Sequence, residues 1–321
     1  MYKNFVFLIV LAFTYSLSTI AFSQSSKSLI IIDFDQKSQV EQSEGKKLAS
    51  LIPAEIQEKL VKASCITVVE RNKLNEVLKE HALSQTGTID ENTAIQAGKL
   101  IGAEKILLGE IYSNLKKRHS ISARLVDIET GKVEVQRLAA DLKEKEITEF
   151  VDEVASCIIA HIKNQVALEN IARLDNSRSP FKLTLSAGKE RFQLGEMITF
   201  TAEPDKDCYL YIFDIGTSGK IHLLFPNKMQ PQNFVEAGDE IKIENIRVGA
   251  PTGTETVKAL ATLDSLSYGE LLESSGSPAT FQSLGGDIDK FSRDLEVLIS
   301  PIANDKWTTD TIKLEIIEEQ E

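Results

Sequence analysis

The hydrophobic period of this chain changes once, and that change constrains the fold more than any other feature. Upstream of residue 175, strand-like and helix-like apolar runs alternate; from residue 181 apolar residues recur at every second position. The polar hexapeptide Asp175–Pro180 (DNSRSP) lies at the change and reads as a linker. Roughly 300 residues is long for one core, so two domains are expected, at 24–174 and 181–321.

In the first half, Leu29–Asp33 is an apolar strand. Leu48, Leu51, Ile52, Ile56 and Leu60 form a helical stripe, with Pro53 inside it. Proline removes the bond to the Ala49 carbonyl, so a kink or restart is expected there. Ile66–Val69 is a second strand, and Leu74, Val77 and Leu78 face inward from the next helix. Thr88 and Glu91 have capping-box spacing, and Gly102 stands where a helix end needs a left-handed residue. Ile106–Ile111 is apolar on both faces, as a central strand should be. Ile121, Ala123 and Leu125 alternate with Ser122 and Arg124, which gives a strand with one wet face. After Val135 the chain is read as passing quickly into a closing helix with Val151, Val154, Ala155, Ile158, Ile159 and Ile162 on its apolar stripe. The fold class is α/β with a mixed sheet.

The second half reads as all-β and sandwich-like. Phe181–Leu185, Met197–Ala202, Cys208–Ile215, Lys220–Phe225, Val257–Leu263 and Thr311–Ile317 are strands, Gly216–Gly219 is a hairpin connection, and Ile288–Leu295 is one helix. Tyr209 and Tyr211 point the same way along one strand, either as a binding face or as sandwich core.

The N-terminus sets the compartment. Lys3, the apolar stretch Phe5–Phe13 and the small residues Ala21 and Ser23 before Gln24 compose a secretory signal peptide over residues 1–23. Thr14, Tyr15, Ser16, Ser18 and Thr19 interrupt the apolar run too early for a spanning helix. No cysteine stands near the cleavage point, so the exported chain is expected in the periplasm without a lipid anchor. The full chain carries a formal charge of −12, and losing Lys3 with the leader leaves 35 basic against 48 acidic residues, an excess that disfavours phosphate backbones and argues against a nucleic-acid partner.

No pattern of catalytic, cofactor-binding or metal-ligating residues emerges. Asp33-Phe34-Asp35 follows a strand, but Lys37 stands where an Asp-x-Asp phosphotransferase has Thr or Val. Gly98, Gly102 and Gly109 do not make a phosphate loop. His81, His119, His161 and His222 lack metal-ligand spacing. Cys208 and His222 on neighbouring strands raise a thiol-nucleophile idea with no third member. Asp205 with Asp207, and Asp287 with Asp289, read as turn and cap residues rather than a calcium loop. Of Cys65, Cys157 and Cys208, the first two share a domain and are the pair to test for a disulfide; the simpler reading makes all three small buried hydrophobes. Lys116-Lys117-Arg118 sits at a hairpin tip as a solvated turn or a contact for an acidic surface.

Val69-Glu70-Arg71, Gly102-Ala103, Gly109-Glu110-Ile111, Leu125-Val126-Asp127 and Thr130-Gly131, in this order, resemble the curli-secretion-channel (CsgG-like) family over residues 28–168. The resemblance implies an anticodon-binding-like α/β domain facing the periplasm, often assembled into rings. Family channels are lipoproteins that insert two long amphipathic hairpins into the outer membrane. Here the first position, between Ile111 and Ile121, holds nine residues, where a spanning hairpin needs about 20. Phe192-x-x-Gly195-Glu196, Tyr209-Leu210-Tyr211, Leu224-Phe225-Pro226-Asn227, Ala237-Gly238 and Pro251-x-Gly253-x-Glu255 resemble a bacterial β-rich domain of unknown function over residues 181–318. These readings converge on a non-enzymatic envelope accessory protein that assembles with other envelope proteins or with itself. A channel component is the alternative, and a hydrolytic enzyme comes last.

Overall fold

The computed structural model describes residues 25–37, 42–80, 91–114, 116, 118–266 and 280–318. The expected leader, His81, Thr88 of the capping box, Lys117 and the side chain of Leu78 lie outside what is described.

The first half contains β1 (Lys27–Ile31), β2 (Asp35–Gln36), α1 (Gln42–Leu60), β3 (Ile66–Val68), α2 (Arg71–Glu80), α3 (Glu91–Ile101), β4 (Lys105–Ser113), β5 (His119–Asp127), β6 (Val133–Leu142) and α4 (Glu144–Arg173). The strands form one sheet in the order β3-β1-β4-β5-β6, with β2 added to β4. β1 is parallel to β3 and β4, while β4, β5 and β6 are antiparallel, so the sheet is mixed as expected. β4 is central and buried on both faces. Leu107 and Ile111 meet α1 and α4, while Ile106 and Leu108 meet α2 and α3.

Three local details show how the sequence produces this layer. Helix α1 spans Gln42–Leu60 with no restart at Pro53. The Ala49 carbonyl that proline leaves without a helical donor accepts instead from the Phe34 N–H at 2.9 Å. Phe34 in turn lies over Gly109, where an added Cβ would sit 2.5 Å from its ring. Gly102 ends α3 with φ 73°, and the Ala103 N–H returns to the Gly98 carbonyl at 3.0 Å, as the left-handed cap requires.

The expected quick passage from Val135 into the closing helix is corrected by β6, which runs ten residues to Leu142 before α4 starts at Glu144. β6 is an edge strand whose side chains are mostly wet, with Leu138 70% exposed, so it carries little apolar signal.

The second half contains β7 (Leu183–Ser186), β8 (Arg191–Gln193), β9 (Met197–Pro204), β10 (Cys208–Ile215), β11 (Ile221–Phe225), β12 (Phe234–Val235), β13 (Ile241–Arg247), β14 (Gly253–Thr262), β15 (Gln282–Gly285), α5 (Ile288–Ile299) and β16 (Trp307–Ile317). A seven-stranded sheet, β15-β11-β10-β14-β16-β8 with β12 on β10, packs on a three-stranded sheet, β13-β9-β7. Leu185, Ile198, Phe200 and Ile243 from the small sheet meet Leu210, Ile212, Ala259 and Leu314 from the large one. This is the expected sandwich. Its large sheet has a second apolar face, covered by α5 and by the end of α4: Ala167, Ile171 and Leu174 share a core with Phe213, Leu260, Phe291 and Trp307. Tyr211 is fully buried in that helical layer rather than in the sandwich interior, and Tyr209 makes an edge contact with Phe234 at 5.4 Å.

The segment 175–180 is anchored at its start. The Asn176 amide donates to the carbonyls of Asn304 and Trp307, both at 2.6 Å. The Leu174 carbonyl, at the end of α4, accepts from Lys258 and from the Thr309 hydroxyl. Lys258 is 1% exposed, and burial pulls its ammonium down to about 8 despite Asp175 and Asp310 nearby.

Candidate functional site

A cleft of about 760 Å³ opens where the two halves meet. Its walls come from β1, the end of α3, the start of β4, the β5–β6 turn, α4, β14 and β16. Its most buried charge is Lys105, the first residue of β4, with a side chain only 5% exposed. The ammonium lies 2.8 Å from Asp127 and 2.7 Å from Glu134. Lys27 is held the same way, 2.7 Å from both Glu104 and Glu169. The second pair ties β1 to the far end of α4.

Local chemistry places each group. Asp127 ends β5 and accepts from the Thr130 N–H and hydroxyl, which fixes the turn into β6 together with Gly131 at φ 71°. Burial opposes ionisation of Asp127, but hydrogen bonds from Lys105 and Thr130 outweigh it and hold the carboxyl down to about 2. Glu134 is likewise desolvated, yet His161, Lys105 and Gln165 hold it down to about 2. The Gln165 Nε2 donates to Glu134, leaving its Oε1 buried without a partner. At the rim, Lys99, Glu129 and Lys313 are exposed. The floor charges are thus spent on one another, and the network ties β1, β4 and β6 to α4 on the first-half side of the cleft.

No sequence pattern singled out this cleft. A lysine opening an apolar strand was the one available signal, and its partners lie 22 and 29 residues away.

The structure also places the residues weighed for chemistry. Cys208 pairs in register with Val235, whereas His222 pairs with Asp214, so the thiol and imidazole are not opposed. Burial, with Asp207 and Asp205 nearby, pushes the Cys208 thiol up to about 12, far from a nucleophile's range. Cys65 and Cys157 are free thiols; Cys65 is buried, and half-buried Cys157 accepts from Arg137 at 2.7 Å. Asp33 and Asp35 are exposed. Gly98 serves packing, since a Cβ there would lie 2.6 Å from Ile128. Asp205 and Asp207 accept from the Lys182 and Ala237 N–H groups, and Asp287 caps α5 through the Lys290 N–H. Arg118, in the β4–β5 turn, pairs with Asp141. No trio of metal-ligating side chains occurs among the described residues.

The motif of the second half is likewise turn chemistry. The Asn227 side chain accepts from the N–H groups of Met229 and Gln230 and donates to the Leu224 carbonyl. Glu196 accepts from the Gln193 N–H, and Gly195 and Gly238 take φ 86° and 81°.

Residues 17–117 match the family model described as curli production assembly/transport component CsgG, and residues 191–265 match a domain of unknown function, DUF4384. The chain is CsgG-like at its N-terminal end and carries a DUF4384 segment after it. Both matches are shorter than the stretches over which the sequence resembles these families, and the CsgG match ends inside the β4–β5 turn. Among solved structures, the LpoB C-terminal domain from Escherichia coli is 14% identical, with 40% of this chain and 90% of that one covered at a TM-score of 0.32. Lipoprotein GNA1162 from Neisseria meningitidis is 15% identical, covering 41% and 95% at 0.30. TolB from Acinetobacter baumannii is 9% identical, covering 75% and 56% at 0.30. No curated protein matches the chain.

Proposed function

We propose that this CsgG-like chain is an exported periplasmic accessory protein of the cell envelope, not lipidated, that mediates protein–protein assembly without catalysis. Its partners are other envelope proteins, a second copy of itself among them. The observation that carries the reading is how little chain stands at the two places where family channels insert membrane hairpins, between Ile111 and Ile121 and after Val135. β4 returns into β5 through a turn closed by Asn114 N–H to Arg118 carbonyl at 3.0 Å. β6 ends at Leu142 and α4 begins at Glu144, with Glu146 accepting from the Lys143 N–H. A spanning hairpin needs about 20 residues, and neither connection supplies them.

The CsgG match favours a second reading, a component of a curli-like secretion channel. Planar-bilayer recording of the purified mature protein separates the two. The expected result is a silent bilayer, together with release of the protein from cells by a periplasmic wash. Stepwise conductance that depends on the protein would overturn the accessory reading and restore the channel.

A further inference from the structure

Three titratable side chains meet at one end of the sandwich on three neighbouring strands. They are His222 on β11, Asp214 on β10 and Glu255 on β14. All three point to the sandwich side of the large sheet. Phe213, Ile215, Ile221 and Leu223, which flank Asp214 and His222 in sequence, face the helices instead, and Glu255 pairs in register with Leu314 of the sandwich core. Asp214 stands opposite both His222 and Val257. Glu255, two residues before Val257, is therefore its diagonal neighbour on the same face, at a spacing of ~7–8 Å that long side chains bridge.

The Asp214 carboxylate is poorly served. Its Oδ1 is buried without a hydrogen-bond partner, and its Oδ2 lies 3.8 Å from His222 Nδ1, too far for a hydrogen bond. A buried acceptor in that state calls for a donor. Glu255 has the means to be one. Burial first, and then the charge of Asp214, push its carboxyl up to about 7, against the Thr217 backbone and His222, which pull it down. Leu314 on β16 and Ser283, opposite His222 on β15, bring no charge.

Glu255 also supports the β10–β11 turn, accepting from the Thr217 backbone, and that turn is bonded to a second. A Cβ on Gly216 would stand 3.6 Å from its Oε1. The Thr217 hydroxyl donates to the Pro251 carbonyl at 2.5 Å, which laces the β10–β11 hairpin to the connection before β14.

We propose that Glu255 and Asp214 share one proton, with the Glu255 carboxyl donating to Asp214 Oδ1, and that this bond is a proton-responsive latch on the two turns. With the proton in place, strands β10 and β14 are tied at their ends and the turns are held. Loss of the proton to solvent leaves two carboxylates facing one another, and the turns loosen.

Hydrogen exchange of the full mature chain, corrected for intrinsic rates and read at about pH 5.5 and about pH 8.5, tests this. In the wild type, opening at residues 216–220 and 249–253 should rise roughly fivefold or more toward the higher pH, while β4 stays unchanged. Glu255→Gln, which keeps a donor and cannot ionise, should abolish the rise; His222→Gln should keep it. A pH-independent wild type, or a Glu255→Gln variant that responds like the wild type, would overturn the latch. Should that variant fail to fold, carboxyl-carbon NMR titration of the wild type decides. A Glu255 midpoint near neutrality whose step also moves the Asp214 signal supports the shared proton, and an ordinary glutamate midpoint refutes it.

Discussion

Asp127, Glu134 and Glu255 give this protein two opposite dependences on pH. Asp127 and Glu134 are held at about 2, below their ordinary 3.8 and 4.5, so they contribute stability that is present above pH 4.5 and lost as pH falls toward 2. Glu255 behaves in reverse. Its folded value of about 7 exceeds the ordinary 4.5, so the native state favours the protonated carboxyl, and that contribution is complete below pH 4.5 and lost as pH rises toward 7. Below about pH 8, where Lys258 has yet to lose its proton, denaturant melts should therefore show a stability maximum on the mildly acidic side. Glu255→Gln should flatten the decline above pH 4.5 and be more stable than the wild type at about pH 8, by roughly 2 kcal/mol. A variant whose profile parallels the wild type throughout would refute the assignment. These residues were not legible as a site in the sequence. Their behaviour depends on partners such as Lys105 for Glu134 and Asp214 for Glu255, brought close only by strand pairing.

Elements were legible where one apolar period ran uninterrupted. β10 matches its reading residue for residue, and β4, β5 and α4 were recognisable from their buried stripes. Elements were missed where the period was broken. β13 reads IKIENIR, and its register shifts between Ile243 and Ile246, with Asn245 at φ 61°, so its alternation does not persist. β6 lies at an edge and carries Glu134, Gln136, Arg137 and Asp141 among its apolar residues. α1 misled for another reason: the cost of Pro53 is met by Phe34, a residue outside the helix. That same phenylalanine leaves no room for a Cβ at Gly109 in β4 unless its ring moves. Gly109→Ala should cost about 1–3 kcal/mol, because the ring must move off the strand. Adding Phe34→Leu should recover part of the loss, so a double-mutant cycle by chemical denaturation should show clear non-additivity. Additive losses would mean that Phe34 and Gly109 act independently.

At the scale of the whole molecule, the change of hydrophobic period marks the division between sheets but not a free hinge. The last turns of α4 belong to the second core, where Ala167, Ile171 and Leu174 lie beside Leu260 and Trp307. A fragment beginning at Phe181 would lose those side chains and leave Lys258 without the Leu174 carbonyl. It should be markedly less stable in chemical denaturation than a fragment beginning at Val166, which keeps them. Equal midpoints for the two fragments would show that the helix end contributes nothing to the sandwich. Charge and packing agree on this arrangement, since Lys27 with Glu169 and Lys163 with Asp289 bind the same helix from either side.

A 30-residue helix spans roughly 45 Å, and here a single rod is shared by two cores. This bears on how such a chain is inherited. A genetic exchange that set this sandwich behind a different first half would fail if it cut at the polar hexapeptide, where the composition suggests a seam. The crossover that keeps the sandwich core whole lies inside the helix, ahead of Ala167, so that the incoming module brings its own final turns. The unit that recombines is thus longer than the unit that the β-strand pattern outlines.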